Sequence, residues 1–108
     1  MQQSLTKEEI RTARKDIATE EEQLPFMFNA LSDMGRYRIF KLLLQRHDLC
    51  VTDVANVLGI SVPAASQQLR IMEMSGLVKK ERMGQMTCYC VRVDDPLVKS
   101  IIKIINHS

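Results

Sequence analysis

The stretch from residue 52 to residue 74 constrains the fold most, because its apolar residues and helix breakers describe two helices separated by a tight turn. Thr52 is a suitable N-cap for the first helix, since its hydroxyl can accept from an unpaired N–H group of the first turn. The apolar residues of this helix share one face: Val54, Ala55 and Leu58. Gly59 follows, and glycine ends a helix in the left-handed conformation without a steric penalty. We therefore predict a short helix that ends at Gly59.

The second helix of this stretch has one polar face. Ser61 can cap it, and Pro63 is tolerated in a first turn whose N–H groups have no helical partner. The predicted buried stripe consists of Val62, Ala65, Leu69 and Met72. The opposite face carries short or hydrogen-bonding side chains: Ala64, Ser66, Gln67, Gln68 and Arg70. Two helices across a turn that contains glycine indicate a helix-turn-helix, whose second helix can enter a major groove.

A basic β-hairpin is predicted directly after this helix. Ser75 and Gly76 supply the helix C-cap, and residues 77–82 and 86–93 flank a three-residue loop, Met83-Gly84-Gln85. The first arm and the tip carry cationic and hydrogen-bonding side chains: Lys79, Lys80, Arg82 and Gln85. The inward residues of the second arm are expected to be Tyr89, Val91 and Val93. The residues between them, Cys88, Cys90 and Arg92, are expected on the other face.

Three helices and a minimal strand are predicted before this unit. Residues 6–9 have the form of a capping box, and the helix that follows carries a narrow stripe: Ile10, Ala13, Ile17 and Leu24. A stripe this narrow suits one partner helix, so we interpret residues 1–24 as a dimerisation helix rather than a free surface helix. Pro25 opens a second helix to about Ser32, residues 36–46 form a third with most of the core, and residues 49–51 form the strand.

The last helix has more apolar surface than one core requires. Asp94 and Asp95 precede Pro96, which is a favourable helix start. The apolar residues that follow cover more than one face: Leu97, Val98, Ile101, Ile102, Ile104 and Ile105. We therefore expect residues 95–106 to contact a second subunit. The predicted fold is mainly α with a small β-wing, in the order α-α-α-(β)-α-α-β-β-α. It forms one domain over residues 1–108, and residues 48–93 of this domain contain the helix-turn-helix and the wing.

Composition and charge narrow the classes of function. A chain of 108 residues can bury a core without metals or disulfides. Residues 1–24 carry four basic and six acidic side chains, net −2, whereas residues 62–93 carry five basic and two acidic ones, net +3. A positive excess on the helix-turn-helix unit is what a nucleic-acid footprint requires. No apolar run approaches the length of a membrane helix, and three cysteines without scaffold spacing fit a reducing compartment, so we expect a cytoplasmic protein.

Several segments resemble one known family. Residues 30–33 with 36–44 resemble its helix-pair signature, and Asp48-Leu-Cys-Val-Thr-Asp53 resembles its Glu-Leu-Cys-Val-Cys-Asp metal motif. Residues 61–69 are similar to its recognition helix, and residues 76–79 with Gly84-Gln85 resemble its wing. Over about residues 25–95 the chain therefore resembles the ArsR/SmtB family of dimeric winged-helix repressors.

The resemblance implies a homodimer that occupies an inverted-repeat DNA operator and is released by an inducer. The residues it places against bases or the groove wall are Ser61, Ala64, Ser66, Gln67 and Gln68. Either glutamine could pair with adenine. Phosphate contacts would come from the wing residues Lys79, Lys80 and Arg82, and we add Arg70 and Gln85 to this candidate surface.

The family's metal sites are not expected here. A thiolate site would need a second cysteine where Thr52 stands and others from the N-terminal arm, but the first 49 residues contain none. The other family site lies on the last helix. That helix offers Asp94, Asp95 and the distant His107, with Leu97 and Val98 where a histidine would be required. We therefore expect no metal at either standard site and no obligatory cofactor.

The three cysteines form a separate candidate site. If the strand before the helix-turn-helix pairs with the second wing strand, Cys50, Cys88 and Cys90 share an outward sheet face, roughly 5 to 7 Å apart. Such thiols could bind a thiophilic ion or sense oxidants by pairing across the strands, although Cys88 and Cys90 themselves would bridge badly. The alternative interpretation is that all three are small, partly covered hydrophobes.

Two classes of function remain open at this stage. The first is a sequence-specific DNA-binding repressor, and the second is a winged-helix protein-interaction module that does not bind DNA. The polar face of residues 61–70 beside a basic wing favours the repressor, because an interaction module more often exposes Leu or Phe there. An enzyme is not expected, since no Gly-rich phosphate loop, Ser/His/Asp set or carboxylate pair stands out.

Overall fold

Six helices and three strands make up the described part of the chain, residues 4–18 and 23–107 of a computed structural model. The helices are α1 Lys7–Ala18, α2 Gln23–Leu31, α3 Met34–Gln45, α4 Val51–Leu58, α5 Val62–Met74 and α6 Pro96–Asn106. The strands are β1 Leu49–Cys50, β2 Val78–Met83 and β3 Met86–Val91. This confirms the predicted fold class and order of elements. None of the described helices combines the length and apolar character needed to cross a membrane.

Helix α1 begins at the predicted capping box. The N–H group of Glu9 donates to the Thr6 hydroxyl at 3.1 Å, and the N–H group of Thr6 donates to the Glu9 carboxylate at 2.8 Å. These bonds lower the pKa of Glu9, the backbone bond first. No residue of α1 is buried, and Ile17 is 72% exposed. Leu24, predicted to continue the stripe of α1, belongs instead to α2.

Helix α2 begins earlier than predicted. It starts at Gln23 rather than at Pro25, because proline is tolerated throughout a first turn and does not fix the first residue. The Gln23 side chain donates to the carbonyl of Ser75 at 2.7 Å, which ties the start of α2 to the end of α5. Asp33 then caps α3 by accepting from the N–H group of Arg36 at 3.0 Å. Helix α3 therefore starts at Met34, two residues before the predicted start.

The helix-turn-helix consists of α4, a turn at Gly59 and α5. The predicted N-cap Thr52 is wrong: Cys50 occupies the N-cap, and its N–H group donates to the Asp53 carboxylate at 3.1 Å. This bond starts the helix at Val51 and shortens β1 to two residues. Gly59 has the predicted left-handed backbone, with φ of 67°. Ser61 caps α5 as predicted, since its hydroxyl accepts from the N–H group of Ala64 at 3.2 Å.

The sheet is antiparallel, with β3 between β1 and β2. Cys50 lies opposite Cys88 in the β1–β3 register. Met83 lies opposite Met86 at the end of the β2–β3 ladder, so the loop is two residues long rather than the predicted three. Val93, predicted inward, is 50% exposed because β3 already ends at Val91. The term "wing" below means β2, its turn and β3.

The core lies between α3, α5, the sheet and one face of α6. Its fully buried side chains include Met27, Ile39, Phe40, Leu43, Leu69, Met72 and Leu77. Val62 is 44% exposed and does not belong to the predicted buried stripe, because it lies in the first turn of α5, beyond the packed part of the helix. In α6, Val98 and Ile101 are buried, whereas Ile104 is 62% exposed. One face of α6 is therefore uncovered in the single chain.

Candidate nucleic-acid interface

Helix α5 presents the predicted polar face to the outside. Ser61, Ala64, Gln67 and Arg70 are exposed, and Ser66 and Gln68 are half-buried. Ala65 and Leu69 on the reverse face are fully buried and hold the helix against the core. The exposed groups include a hydroxyl, an amide and a guanidinium, which are the groups that contact base edges and phosphates. This surface can hydrogen-bond along a groove without moving the helix.

Gln68 is held within the protein. Its amide oxygen accepts from Arg36 Nη1 at 3.0 Å, and its Nε2 donates to Asp33 Oδ2 at 3.3 Å. Arg36 Nε also donates to the carbonyl of Ala30 at 2.7 Å. Of the two glutamines predicted to contact adenine, Gln67 is therefore the one whose amide is exposed.

The Asp33, Arg36 and Gln68 contacts were not found from the sequence. They join the first turn of α3 to the middle of α5, across 32 positions of the chain. The bond from the N–H group of Arg36 is the main cause that lowers the pKa of Asp33 below its usual range. The capping role of Asp33 is visible locally, because Asp at such a position is a common N-cap. Its contact with Gln68 depends on how α3 and α5 pack.

The wing separates its three basic residues onto two faces. Lys80 lies opposite Tyr89 and Arg82 lies opposite Thr87, so both share the face that turns toward α5. Lys79 lies opposite Cys90 on the reverse face, where its ammonium is 3.6 Å from the Glu81 carboxylate. The prediction treated all three as equivalent phosphate contacts. The structure places two of them beside α5 and the third away from it.

A cleft of about 350 Å³ runs between α5 and the wing. Arg70 and Ser66 line it from α5, and Lys80 lines it from β2. Thr52 and Thr87 line it as well, although the sequence had marked neither as a binding residue. Alternation along the strand could have found Thr87, because it shares the parity of Tyr89. Thr52 had been interpreted only as a helix cap.

Tyr89 forms the floor of this cleft. Its side chain is 4% exposed and its pKa is raised, first by burial and then by the nearby Glu73 carboxylate, while Arg70 acts in the opposite direction. The phenol is therefore neutral at physiological pH. Gln85, at the tip of the wing, is exposed to solvent. The cleft and the exposed face of α5 form one continuous surface with cations at its edge.

The cysteines are arranged differently from the prediction. Cys50 and Cys88 do lie side by side, with their sulfurs 2.6 Å apart, but both are buried rather than outward. The two side chains share the face of the sheet opposite Tyr89, where each covers the other. Cys90 is half-buried and its thiol donates to Glu81 at 3.5 Å. All three thiols are free.

The Cys88 thiol keeps its proton at neutral pH. Its pKa is raised to about 11, first by its hydrogen bond with Cys50, then by burial and by the charges of Cys50, Asp48 and Asp53. The pKa of Cys90 is also raised, by burial and then by its hydrogen bond to Glu81 and the Glu81 charge.

Potential metal ligands are scattered over the described part of the chain. Within residues 4–18 and 23–107, no group of three or more His, Cys, Asp or Glu side chains is placed to hold an ion. The hypothesis of a thiophilic ion on three cysteines therefore lacks its third ligand, because Cys90 bonds to Glu81 instead. At the last helix, the Asp95 carboxylate caps α6 through the N–H groups of Leu97 and Val98, at 2.8 and 3.2 Å.

Comparison with known proteins decides the family. The profile described as "Bacterial regulatory protein, arsR family" matches residues 33–80, from the cap of α3 into β2. A cadmium resistance transcriptional regulatory protein CadC homolog from Staphylococcus aureus is 33% identical over 97 residues, which are 89% of this chain and 78% of that protein.

The chain belongs to the ArsR family of bacterial regulatory proteins.

It is accordingly a transcriptional regulator and not an enzyme. A transcriptional repressor SmtB homolog from Synechocystis is 30% identical over 102 residues, 93% of this chain and 76% of that one. Among solved structures, reduced HlyU from Vibrio cholerae superposes with a TM-score of 0.70, 24% identity and coverage of 90% and 95%. The winged helix-turn-helix domain of Mb0332 from Mycobacterium bovis gives a TM-score of 0.68, 22% identity and coverage of 99% and 91%. Both confirm the fold of this ArsR-family regulator.

Proposed function

We propose that this ArsR-family regulator is a homodimeric repressor that binds an inverted-repeat DNA operator and leaves it when an inducer binds. The observation that carries the proposal is the common orientation of Arg70, Lys80 and Arg82 toward one surface, which also includes the exposed face of α5. Three cations beside a helix with short polar side chains provide phosphate anchors and base-edge contacts together.

The roles of individual residues follow from their positions. Gln67 is exposed and is the candidate for bidentate pairing with adenine, while Ser61 and Ala64 lie toward the N-terminus of α5 where the helix would approach the groove. Lys80 and Arg82 hold phosphates flanking the groove. Gln68 acts indirectly, because its amide holds α5 against α3.

The homodimer is supported by apolar surface that one chain leaves uncovered. Ile17 on α1 and Ile104 on α6 are 72% and 62% exposed. The radius of gyration is 18.3 Å, whereas a compact domain of about 100 residues has roughly 13 Å. Mb0332, which shares the fold, is described as homodimeric. A second copy would cover these faces and set two α5 helices about one turn of DNA apart, roughly 34 to 36 Å.

The DNA proposal is tested by selecting bound fragments from random duplex DNA and measuring affinity for the enriched sequence by fluorescence anisotropy. We expect an inverted repeat, with a slope of log K against log salt of about −5, since a dimer brings six of these cations to phosphates. Lys80→Ala should reduce the magnitude of the slope by roughly 2, because each dimer loses two contacts. Lys79→Ala is the matched control and should leave it unchanged. No enrichment at low salt would overturn the proposal in favour of the interaction module.

The homodimer is tested by sedimentation velocity. Ile17→Glu places a charge in the exposed stripe of α1 and should shift the protein to monomer and weaken operator binding. Thr12→Glu adds the same charge to the opposite face of the same helix and should leave the dimer intact. Equal effects of the two substitutions would argue against α1 as an interface.

Release by an inducer is tested separately. Homologs of CadC and SmtB are among the relatives, but residues 4–18 and 23–107 bring no three His, Cys, Asp or Glu side chains together. We therefore expect Zn²⁺ and Cd²⁺ to change operator affinity by less than about fivefold, the lower end of allosteric couplings. A larger loss with either ion would show that a metal is the inducer.

A further inference from the structure

We propose that Cys50 and Cys88 are a modification site: in the folded domain they form an intramolecular disulfide with peroxide, and this bond locks the helix-turn-helix to the wing. The formation of the bond rests on the geometry of the pair alone. Its consequence for DNA rests on the proposed function. The experiments below separate the two.

The backbone geometry suits a disulfide. Cys50 and Cys88 are directly opposed on the antiparallel strands β1 and β3. Residues opposed in this way have Cα atoms about 4.5 to 5.5 Å apart, inside the range of about 4.4 to 6.8 Å that disulfides span. The two sulfurs are 2.6 Å apart with both thiols free. Bond formation therefore requires no rearrangement of either strand.

The geometry also selects one pair among the three cysteines. Cys88 and Cys90 are neighbours at i and i+2 on one strand, so their Cβ atoms point in parallel and cannot meet. The thiol of Cys90 donates to Glu81 rather than to another sulfur. The reactivity of Cys90 toward peroxide can therefore be compared with that of the pair within the same molecule.

Formation of the disulfide consumes one molecule of hydrogen peroxide. The Cys50 sulfur attacks one oxygen of hydrogen peroxide, the O–O bond breaks, and hydroxide leaves, takes up the Cys50 proton and becomes water. This leaves a sulfenic acid on Cys50. The Cys88 sulfur then attacks the Cys50 sulfur, the S–O bond breaks, and the departing hydroxide takes the Cys88 proton as a second water. Two thiols have been oxidised by two electrons, and one peroxide has been reduced to two waters.

The environment assigns the two sulfurs different roles. Cys50 is 8% exposed and stands at the N-cap of α4, at the end of β1. It is therefore the sulfur that meets peroxide. Cys88 is 2% exposed, and the raised pKa keeps its proton in place until Cys50 has reacted. Oxidation of Cys50 replaces the thiol whose hydrogen bond is the first cause of that raised pKa.

The bond would act as a lock and not as a release switch. Cys50 begins α4, and Cys88 lies in β3, the central strand, so the bond joins the two halves of the DNA-facing surface. The two residues are already paired across β1 and β3, so the bond requires only a change of side-chain torsion angles. A change this small leaves the cleft and α5 in place. The oxidised protein should therefore keep its affinity for DNA and resist unfolding.

The chemical test uses the full chain, reduced with dithiothreitol, desalted and exposed to hydrogen peroxide. Remaining thiols are alkylated with N-ethylmaleimide, and intact mass and tryptic peptides are measured. We expect the unsubstituted chain to keep one reactive thiol and to yield a Cys50–Cys88 linked peptide. Cys90→Ser should still form the bond, while Cys50→Ser and Cys88→Ser should not. A bridge that includes Cys90, or oxidation to sulfinic acid without any bridge, would overturn the proposal. The peptide map of the unsubstituted chain distinguishes these outcomes even if a variant fails to fold.

The functional test compares oxidised and reduced protein in thermal unfolding and in anisotropy with the selected operator. Oxidation should raise the unfolding midpoint by roughly 10 °C and change affinity by less than about fivefold. Cys50→Ser should show no shift. A tenfold loss of affinity on oxidation that Cys50→Ser abolishes would overturn the lock. Should the reduced chain bind no DNA, the proposed function fails, while the linked peptide and the thermal shift still support the bond and its stabilising effect.

Discussion

The substitution Arg36→Ala should destabilise the domain far more than its partly exposed position suggests. The Arg36 side chain is 16% exposed and joins three elements. It donates to the carbonyl of Ala30 at 2.7 Å and to the amide oxygen of Gln68 at 3.0 Å. Its 4.0 Å contact with Asp33 is at the limit of an ion pair and should add little. Two charge-assisted hydrogen bonds therefore carry the effect.

The magnitude follows from these two bonds. A hydrogen bond from a charged donor contributes about 1.5 to 3 kcal/mol, and a buried acceptor without a partner costs a similar amount. Ala30 is 2% exposed, so water replaces the lost donor poorly at its carbonyl. The Gln68 side chain is half-buried, so water can replace part of the hydrogen bonding that its amide oxygen loses. We expect Arg36→Ala to lower the free energy of unfolding by about 3 kcal/mol and Gln68→Ala to lower it by about 1 kcal/mol.

The assay is urea unfolding followed by circular dichroism, with a double-mutant cycle. The cycle of Arg36→Ala and Gln68→Ala should give a coupling energy of about 1 kcal/mol, because the two residues share one bond. Arg38→Ala is the matched control: this arginine is exposed on the same helix, and its loss should change the free energy of unfolding by less than about 0.5 kcal/mol. If Arg36→Ala and Arg38→Ala unfold at the same urea concentration, the reasoning from these hydrogen bonds is refuted.

Three further predictions concern stability. Gly76→Ala should cost about 2 to 4 kcal/mol in urea unfolding and Gly84→Ala about 1 kcal/mol. Both glycines have positive φ. An added Cβ at Gly76 would meet the Gln23 amide, whereas an added Cβ at Gly84 would meet open space. Equal losses of stability would therefore contradict the steric argument. The reduced protein should lose stability as pH rises from 9 to 11, because the unfolded chain releases the Cys88 proton near pH 9 and the folded chain near 11. Cys88→Ala should reduce this pH dependence of the thermal midpoint, and Cys90 and Tyr89, whose pKa values are also raised, account for the remainder. Asp95→Ala should cost about 1 kcal/mol through loss of the α6 cap, measured in urea against Asp94→Ala.

The elements that sequence reasoning predicted correctly are those whose cause is local. Thr6 with Glu9, Ser61 and Asp95 satisfy N–H groups two or three positions away, so the residue types at that spacing are sufficient. Gly59 ends α4 for a reason that is equally local. The order of helices and strands could therefore be predicted before any tertiary contact was known.

The errors arose where two local solutions competed. Thr52 is a good cap by type, but Asp53 bonds to the N–H group of Cys50 and starts α4 earlier. The hairpin loop could contain two or three residues, and the Met83–Met86 pairing decides for two. In both cases the type of element was predicted correctly and its boundary was shifted by one or two residues. Cross-strand pairing, which fixes the position, is not contained in the local pattern.

The candidate site was predictable in composition but not in orientation. The sequence identified the basic residues of the wing, yet only the register assigns Lys80 to the α5 side and Lys79 to the reverse side. Successive side chains on a strand face opposite ways, so a register shift of one residue would exchange the two roles. Burial of Cys50 and Cys88 likewise depends on the register that places them opposite each other on β1 and β3.

Strand β3 connects the two proposed activities, because its two faces serve different purposes. Thr87 and Tyr89 line the cleft beside α5, and Cys88, between them, meets Cys50 on the reverse face. Any movement of the strand that opened the thiol pair would therefore move the cleft as well. A bond between Cys50 and Cys88 restrains such movement from the side that DNA does not occupy. For this reason oxidation should reinforce the DNA-facing geometry, and a device that releases DNA would have to act on the α5 side of the strand or on the contact between subunits.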